Sequence, residues 1–111
     1  MKKEFRIKKS TDIEKILQRK NSVGDAYFSV YKRETPAQPH FRFAVSVSKK
    51  FGGAVERNRI KRRIREIVKE LKFLPSADVF IIVKSKSNTL SFQEIQTDLT
   101  KLFARAKILE V

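Results

Sequence analysis

The apolar residues of one stretch change their spacing at a pair of glycines, and this change limits the folds open to the chain. Before Gly52 and Gly53, alternate residues are apolar, which is typical of a strand with one buried face. These residues are Phe41, Phe43, Val45 and Val47. From about Glu56 the apolar residues recur at helical spacing instead, and they are Ile60, Ile64, Ile67, Leu71 and Leu74. Burying five such side chains contributes roughly 1.5–3 kcal/mol each before ordering entropy is subtracted. The sequence therefore predicts a strand, a turn, and a helix that docks on a sheet.

The same stretch is strongly basic. Residues 49–65 hold eight Lys and Arg residues and one acid, Glu56. A helical arrangement, with successive residues about 100° apart, places one polar set opposite the apolar stripe. This set is Asn58, Lys61, Arg62, Arg65 and Lys69. Like charges four residues apart, such as Arg57 and Lys61, destabilise a free helix, so a polyanionic partner explains the pattern better than an ordinary solvated face. The glycine pair can also present backbone N–H groups to a phosphate.

The whole chain has the charge of a protein that binds a polyanion. At 111 residues it fits one domain, residues 1–111, and it carries a net charge of +14 with a pI of about 10.4. Nucleic acid or an anionic membrane surface could attract such a charge, but the basic helix needs its apolar stripe for the core. The absence of cysteine excludes disulfides and cysteine zinc sites. No apolar run approaches the ~20 residues of a membrane span, and the N-terminus lacks the apolar core of a signal peptide, so we expect a cytoplasmic protein.

The first part of the chain predicts a helix and a strand. Thr11 and Glu14 fit a capping box for a short helix that ends near Lys20, and its apolar residues are Ile13, Ile16 and Leu17. Residues 26–33 alternate as a strand, with Phe28 and Val30 on one face. Its other face carries Tyr27, Ser29 and Tyr31. Tyrosines on such a face can stack on bases or simply lie half-buried.

The rest of the chain predicts a sheet and one further helix. The loop with Pro36 and Pro39 excludes a strand there, so the strands on either side are expected to form a hairpin with a long connection. Residues 79–83 are a continuous apolar run, the pattern of a central strand covered on both faces. Ser91 and Glu94 form a second capping box, which opens a last helix of structural role.

The sequence contains no recognisable catalytic constellation. A protein nuclease needs converging acids, histidines or nucleophiles, whereas the single histidine, His40, lies in a loop without metal-ligand spacing to another residue. A stand-alone nuclease is therefore disfavoured. If the chain takes part in catalysis, we expect the catalytic groups on a partner.

The central stretch FRFAVSVSKKFGGAVERNRIKRRIRE resembles the signature of the protein subunit of bacterial ribonuclease P. The RNR element of that family corresponds to Arg57, Asn58 and Arg59, and Lys61, Arg62 and Arg65 follow at matching spacings. The resemblance extends from RIKKSTD at residues 6–12 to the terminal helix.

This resemblance implies an accessory role in a ribonucleoprotein enzyme. The holoenzyme of the family removes the 5′ leader of precursor tRNA by a hydrolysis that a catalytic RNA performs with Mg²⁺, which the RNA mainly holds. The residues implied to contact the catalytic RNA are Arg57, Asn58, Arg59, Lys61, Arg62 and Arg65. The residues implied to line a cleft for the leader are Ile13, Leu17, Tyr31, Ser46, Ser48 and Lys49, next to a loop with Lys50 and Gly52. The implied partners are ribonuclease P RNA and precursor tRNA, with no membrane and no obligate protein partner.

The family fold is an α+β arrangement in the order α-β-β-β-α-β-α, with a mixed sheet of about four strands and a left-handed βαβ crossover. The fourth strand is expected near residues 22–24. Ile13 and Leu17 stand where the family usually has phenylalanine, Gly53 where asparagine is usual, and Lys20 with Asn21 where a glycine is common. By composition alone, a structural RNA-binding protein such as a ribosomal component fits as well, and this alternative is kept.

Overall fold

The computed structural model describes residues 5–110, so residues 1–4, the start of the basic N-terminal segment, and residue 111 lie outside the described part. The described chain forms three α-helices and four strands in the order α-β-β-β-α-β-α. They are α1 (Ser10–Gln18), β1 (Ser22–Gly24), β2 (Phe28–Glu34), β3 (Arg42–Val47), α2 (Ala54–Glu70), β4 (Ala77–Val83) and α3 (Phe92–Arg105). A first 3-10 turn, Lys49–Phe51, follows β3, and a second, Ser85–Thr89, follows β4. The α+β class and the short fourth strand are confirmed.

The strands lie in the order β1-β2-β4-β3. β4 pairs with β2 antiparallel and with β3 parallel, and it is buried along nearly its whole length. The prediction of a central strand is therefore confirmed, but the predicted hairpin of β2 with β3 is wrong. A strand that is apolar on both faces gains most by lying between two others, and β4 takes the place between β2 and β3. The β3-α2-β4 connection is the expected βαβ crossover, and its hand stays a prediction.

The two faces of this sheet are covered differently. We call the face that packs against α2 and α3 the closed face and the face that packs against α1 the open face. The closed face contributes buried side chains such as Phe28, Phe43 and Ile81 to the main core. On the open face, Ile7, Ile16 and Phe80 form a second, small buried cluster. Half-buried residues complete that cluster, and they are Ile13, Leu17, Tyr31, Ala44 and Ile82.

The ends of α1 and α2 differ from the sequence-based expectation. α2 ends at Glu70, so Leu74 lies beyond the helix and is 37% exposed. The last buried residue of the helix is Val68, which the predicted stripe did not include. The predicted capping box of Thr11 and Glu14 is wrong, because α1 already begins at Ser10 and its N-cap residue, Lys9, makes no side-chain cap. The helix begins two residues earlier than the box requires, which places both side chains too far inside the helix to cap its free N–H groups.

The capping box of α3 is confirmed. The Ser91 hydroxyl accepts a hydrogen bond from the Glu94 N–H at 3.2 Å, and the Glu94 carboxylate accepts one from the Ser91 N–H at 2.9 Å.

Tyr27 does not share the face of Tyr31, in contrast to the prediction. It precedes β2 in a bend, where the Asp25 carboxylate accepts hydrogen bonds from the N–H groups of Tyr27 and Phe28 at 2.8 and 3.0 Å. Because the backbone is bent there, strand alternation does not extend to Tyr27, which packs against the main core of the closed face.

Candidate nucleic-acid interface

A cavity of about 430 Å³ lies where four parts of the chain meet: α1, β3, α2 and residues 5–9, which we call the N-terminal segment. We call this cavity the cleft. The N-terminal segment pairs with β3 through a hydrogen bond of 2.9 Å from the Ile7 N–H to the Phe43 carbonyl. Strand alternation turns Ala44 and Ser46 of β3 to the open face, and Phe80 of β4 lies on the same face. Side chains that line the cleft include Arg6, Ile7, Ile13, Ala44, Ser46, Lys61, Arg65 and Phe80. The cleft therefore combines an apolar floor with three cationic side chains.

The three cations of the cleft have no acidic partner among residues 5–110. Within residues 5–110, neither Arg6, Lys61 nor Arg65 forms an ion pair. Burial, followed by the charges of Arg6 and Arg62, lowers the pKa of the Arg65 guanidinium from its ordinary value. The Nε of Arg6 is buried without a hydrogen-bond partner among the described residues. An arginine in such surroundings stays charged, so an anion that enters the cleft relieves both repulsion and lost hydration.

The structure brings only part of the residues implied for a leader cleft to this cavity. Ile13 and Ser46 line it, whereas Leu17 of α1 and Tyr31 of β2 pack against the buried cluster of the open face. Ser48 caps the first 3-10 turn, accepting a hydrogen bond from the Lys50 N–H at 3.2 Å. Lys49 and Lys50 are exposed on that turn.

The residues implied for the catalytic RNA divide between two flanks of α2. Asn58, Arg59 and Arg62 are exposed. Arg57 is half-buried, and its Nε has no hydrogen-bond partner among the residues described. Lys61 and Arg65 line the cleft instead, because the N-terminal segment and α1 stand beside this flank of α2. Helical spacing predicts that they oppose the apolar stripe, but it contains no information on this neighbour.

The glycine turn before α2 is occupied by a side chain of the protein itself. Neither Gly52 nor Gly53 has a left-handed backbone, since their φ angles are 161° and −73°. A Cβ on Gly53 would lie 3.0 Å from the Glu56 Oε2, and one on Gly52 would lie 3.1 Å from the Glu56 Cβ. The carboxylate of Glu56 therefore lies at the N-terminus of α2, where a negative charge is stabilised. It takes the place where the sequence allowed a phosphate.

Asp78 is the one buried acid that the described residues place on the open face, and sequence reasoning gave it no role. Its carboxylate accepts hydrogen bonds from Arg33 and Arg42, each at 2.9 Å, and from the Thr35 hydroxyl at 2.8 Å. Arg42 also lies 3.7 Å from Asp12 of α1. Burial alone would raise the pKa of Asp78, but the hydrogen bonds from Arg42, Thr35 and Arg33 outweigh it and lower that pKa below its ordinary value. This Asp78 cluster ties β2, β3, β4 and α1 together.

The described residues contain no group of three or more His, Cys, Asp and Glu side chains that could hold a metal ion. No helix among them is long and apolar enough to cross a membrane. His40 lies against the Phe5 ring, with 4.3 Å between ring centroids, and its Nδ1 is 2.9 Å from the Phe41 carbonyl oxygen.

Comparison with known proteins gives one family. The family model described as Ribonuclease P matches residues 1–107. A relative from Lactococcus lactis subsp. cremoris named ribonuclease P protein component is 46% identical over 109 residues, which cover 97% of this chain and 92% of the relative. One of the same name from Levilactobacillus brevis is 38% identical over 112 residues, which cover 99% and 95%. The solved structure of the Staphylococcus aureus RNase P protein superimposes with a TM-score of 0.87 at 36% identity, covering 96% of this chain and 98% of that one.

Proposed function

The chain belongs to the bacterial ribonuclease P protein family, and from this premise we propose that it binds ribonuclease P RNA together with the 5′ leader of precursor tRNA. Binding of both assists the endonucleolytic 5′ maturation of tRNA, which takes place in the cytoplasm. The observation that carries the proposal is the cleft, in which Arg6, Lys61 and Arg65 have no acidic partner within residues 5–110.

The cleft suits a single strand of RNA better than a duplex. Its apolar floor, with Phe80 and Ile13, offers contact area for unstacked bases, and the cationic wall follows the path of a phosphate backbone. The leader is single-stranded, so it can present both at once. Lys61 and Arg65 are accordingly proposed to contact the leader, in addition to the RNA contact that the resemblance implies.

The exposed side of α2 is proposed to bind the catalytic RNA. Asn58, Arg59 and Arg62 are exposed there, where guanidinium groups can bind phosphates in bidentate fashion. Such contacts release counterions, so the affinity should fall steeply with salt.

The hydrolysis itself is proposed to take place on the RNA. Magnesium supplies a metal-bound nucleophile and charge stabilisation in phosphoryl chemistry. Following the family resemblance, we propose that the partner RNA mainly holds the Mg²⁺. The protein's part is to hold the leader, which positions the scissile phosphate relative to the RNA.

The test is cleavage of a precursor tRNA at low magnesium concentration, with the chain alone, a bacterial ribonuclease P RNA alone, and both together. We expect efficient release of the leader only from the mixture. Cleavage by the chain alone would move the chemistry to the protein. No stimulation by the folded chain at any magnesium concentration would favour the alternative, a structural RNA-binding protein such as a ribosomal component.

A further inference from the structure

A second groove lies on the other flank of α2, and none of its residues lines the cleft. It has a volume of about 270 Å³ and is bounded by α2, both 3-10 turns and the start of α3. Its apolar residues are Phe51, Ile60, Leu90 and Ile95. Its polar rim includes Arg59, Arg63 and Asn88.

The two arginines of this groove have no counter-charge in the part of the chain that the structure describes. Arg59 and Arg63 are four residues apart on α2, a spacing at which like charges repel. Neither forms an ion pair with any residue in the range 5–110. Glu56 also borders the groove, but its carboxylate lies against Gly53, where a Cβ would be 3.0 Å from Oε2. The carboxylate of this bordering acid therefore lies at the start of α2 and forms no ion pair with either guanidinium group among the described residues.

Asn88 adds a neutral donor to the same rim. One N–H of its side-chain amide donates to the Phe51 carbonyl at 3.2 Å, which joins the second 3-10 turn to the first. A side-chain amide has two N–H donors, and within the described residues the second makes no hydrogen bond. Two forked guanidinium groups and an amide N–H are the donors that bind a phosphodiester.

The groove and the cleft lie on opposite sides of one helix. Arg59 and Arg63 precede Lys61 and Arg65 by two residues, which is about 200° around the helix axis. One strand of RNA that fills the cleft cannot also fill the groove without crossing α2.

We propose that the groove binds a phosphate of the ribonuclease P RNA backbone through Arg59, Arg63 and Asn88, while the cleft holds the leader. α2 then lies between two RNA strands. This inference rests on the proposed function and deepens it, since it assigns Arg63 and Asn88 to a contact with the catalytic RNA.

The experiment uses the absence of cysteine in the chain, which lets one introduced thiol carry a probe. Thr89→Cys, exposed beside the groove, and Ser46→Cys, in the cleft, each receive an iron chelate that generates hydroxyl radicals. Each protein is assembled with ribonuclease P RNA and precursor tRNA. We expect the probe at residue 89 to cut the ribonuclease P RNA and not the leader, and the probe at residue 46 to cut the leader.

Binding of ribonuclease P RNA by Arg63→Gln is measured in parallel. We expect about tenfold weaker binding, as for the loss of a hydrogen bond to a charged group. The slope of log affinity against log salt should fall in magnitude by about 0.7–0.9 for one phosphate contact. Lys72→Gln removes a charge from an exposed site just beyond the same helix and should weaken binding about twofold or less. Arg63→Lys retains the charge without the fork, so it should retain the salt slope and lose part of the affinity.

Two results would overturn the proposal, provided that the wild-type protein stimulates leader cleavage. One is a probe at residue 89 that cuts only the leader or no RNA. The other is that the affinities and salt slopes of Arg63→Gln and Arg63→Lys match those of Lys72→Gln. A wild-type protein that does not stimulate cleavage would instead contradict the proposed function itself.

Discussion

The closed and open faces of the sheet differ in how their cover is built. On the closed face, α2 and α3 bury side chains such as Leu99 and Phe103 completely. On the open face, the nine residues of α1 leave Ile13 and Leu17 half-buried, and the cleft remains beside them. Apolar burial stabilises a fold in proportion to the area removed from water. The closed face therefore supplies most of the stability, and the open face is left available for binding.

The Asp78 cluster lies on the open face but is expected to contribute strongly to stability. Its mutation should therefore have the largest effect of those predicted here. Asp78→Asn should lower the free energy of unfolding by about 3–5 kcal/mol at pH 7, because Arg33 and Arg42 then lose their shared counter-charge. Urea denaturation measures this change. The control is Asp12→Asn, which affects only the 3.7 Å contact of Arg42 with a partly exposed acid and should cost about 1 kcal/mol or less.

The pH dependence follows from the lowered pKa of Asp78 in the folded protein. Because the pKa of Asp78 is lower in the folded protein, the ionised carboxylate stabilises the fold at pH values above its pKa in the unfolded chain, about 3.9. This stabilisation is lost as the pH falls through the pKa of the folded protein. Wild-type protein should therefore lose stability more steeply than Asp78→Asn below about pH 4. Parallel acid profiles would show that the cluster does not stabilise the fold.

Two leucines test the two faces directly. Leu99→Ala, on the closed face, removes a fully buried side chain and should cost about 2–5 kcal/mol of unfolding free energy. Leu17→Ala, on the half-buried cover of the open face, should cost about 1 kcal/mol. Chemical denaturation of both variants provides the comparison. Equal losses would mean that the open face is a structural core like the closed one.

A smaller effect is expected in binding. Arg65→Gln should weaken binding of precursor tRNA to the holoenzyme by about 1–2 kcal/mol, with little change for mature tRNA, because Arg65 lines the cleft that we propose holds the leader. The free protein should become slightly more stable, since Arg6 and Arg62 no longer repel this charge. Arg62→Gln is the matched control on the exposed side of α2, and it should weaken binding of precursor and mature tRNA equally. Equal losses for both tRNAs with Arg65→Gln would remove that residue from the leader site.

The smallest effect concerns an acid packed at the closed face. Asp98 of α3 has an Oδ2 that is buried without a hydrogen-bond partner among the described residues. Its burial and the nearby Asp25 carboxyl raise the pKa of Asp98 to about 6. A raised pKa means that stability is lost as the pH rises from about 4 to about 6. Asp98→Asn should therefore be about 1 kcal/mol more stable than wild type at pH 7.5, with the gain vanishing near pH 4. Thermal unfolding at both pH values measures it, and a less stable variant at pH 7.5 would contradict the expectation.

Much of the local structure could be predicted because its signals are local. The change of period at Gly52 and Gly53 marks β3 and α2, and the Ser91 box marks the start of α3. The order of the strands is not a local property. The apolar run of β4 indicates two neighbours, but no residue of the loop after β2 tells which strands they are. The predicted hairpin therefore failed, although the strand itself was found.

The candidate site was predictable in its charge and less so in its geometry. The spacing of basic residues on α2 indicates a polyanion, but it cannot tell that the N-terminal segment borders Lys61 and Arg65. Asp78 had a signal that went unused. It is an acid inside an otherwise apolar strand, and such a residue needs cationic partners from neighbouring strands.

The central position of β4 also determines when the protein can fold. Among the described strands, β3 pairs only with β4, and each register pair, such as Val47 with Val83, joins residues 36 positions apart in the chain. During synthesis β1 and β2 can pair early, whereas β3 must wait until the chain has been made as far as β4. A nascent chain that ends before β4 thus carries the basic sequence of α2 without the sheet on which that helix packs. If this segment binds RNA as proposed, it is synthesised before its scaffold, and folding and RNA binding then overlap in time unless the chain is completed quickly.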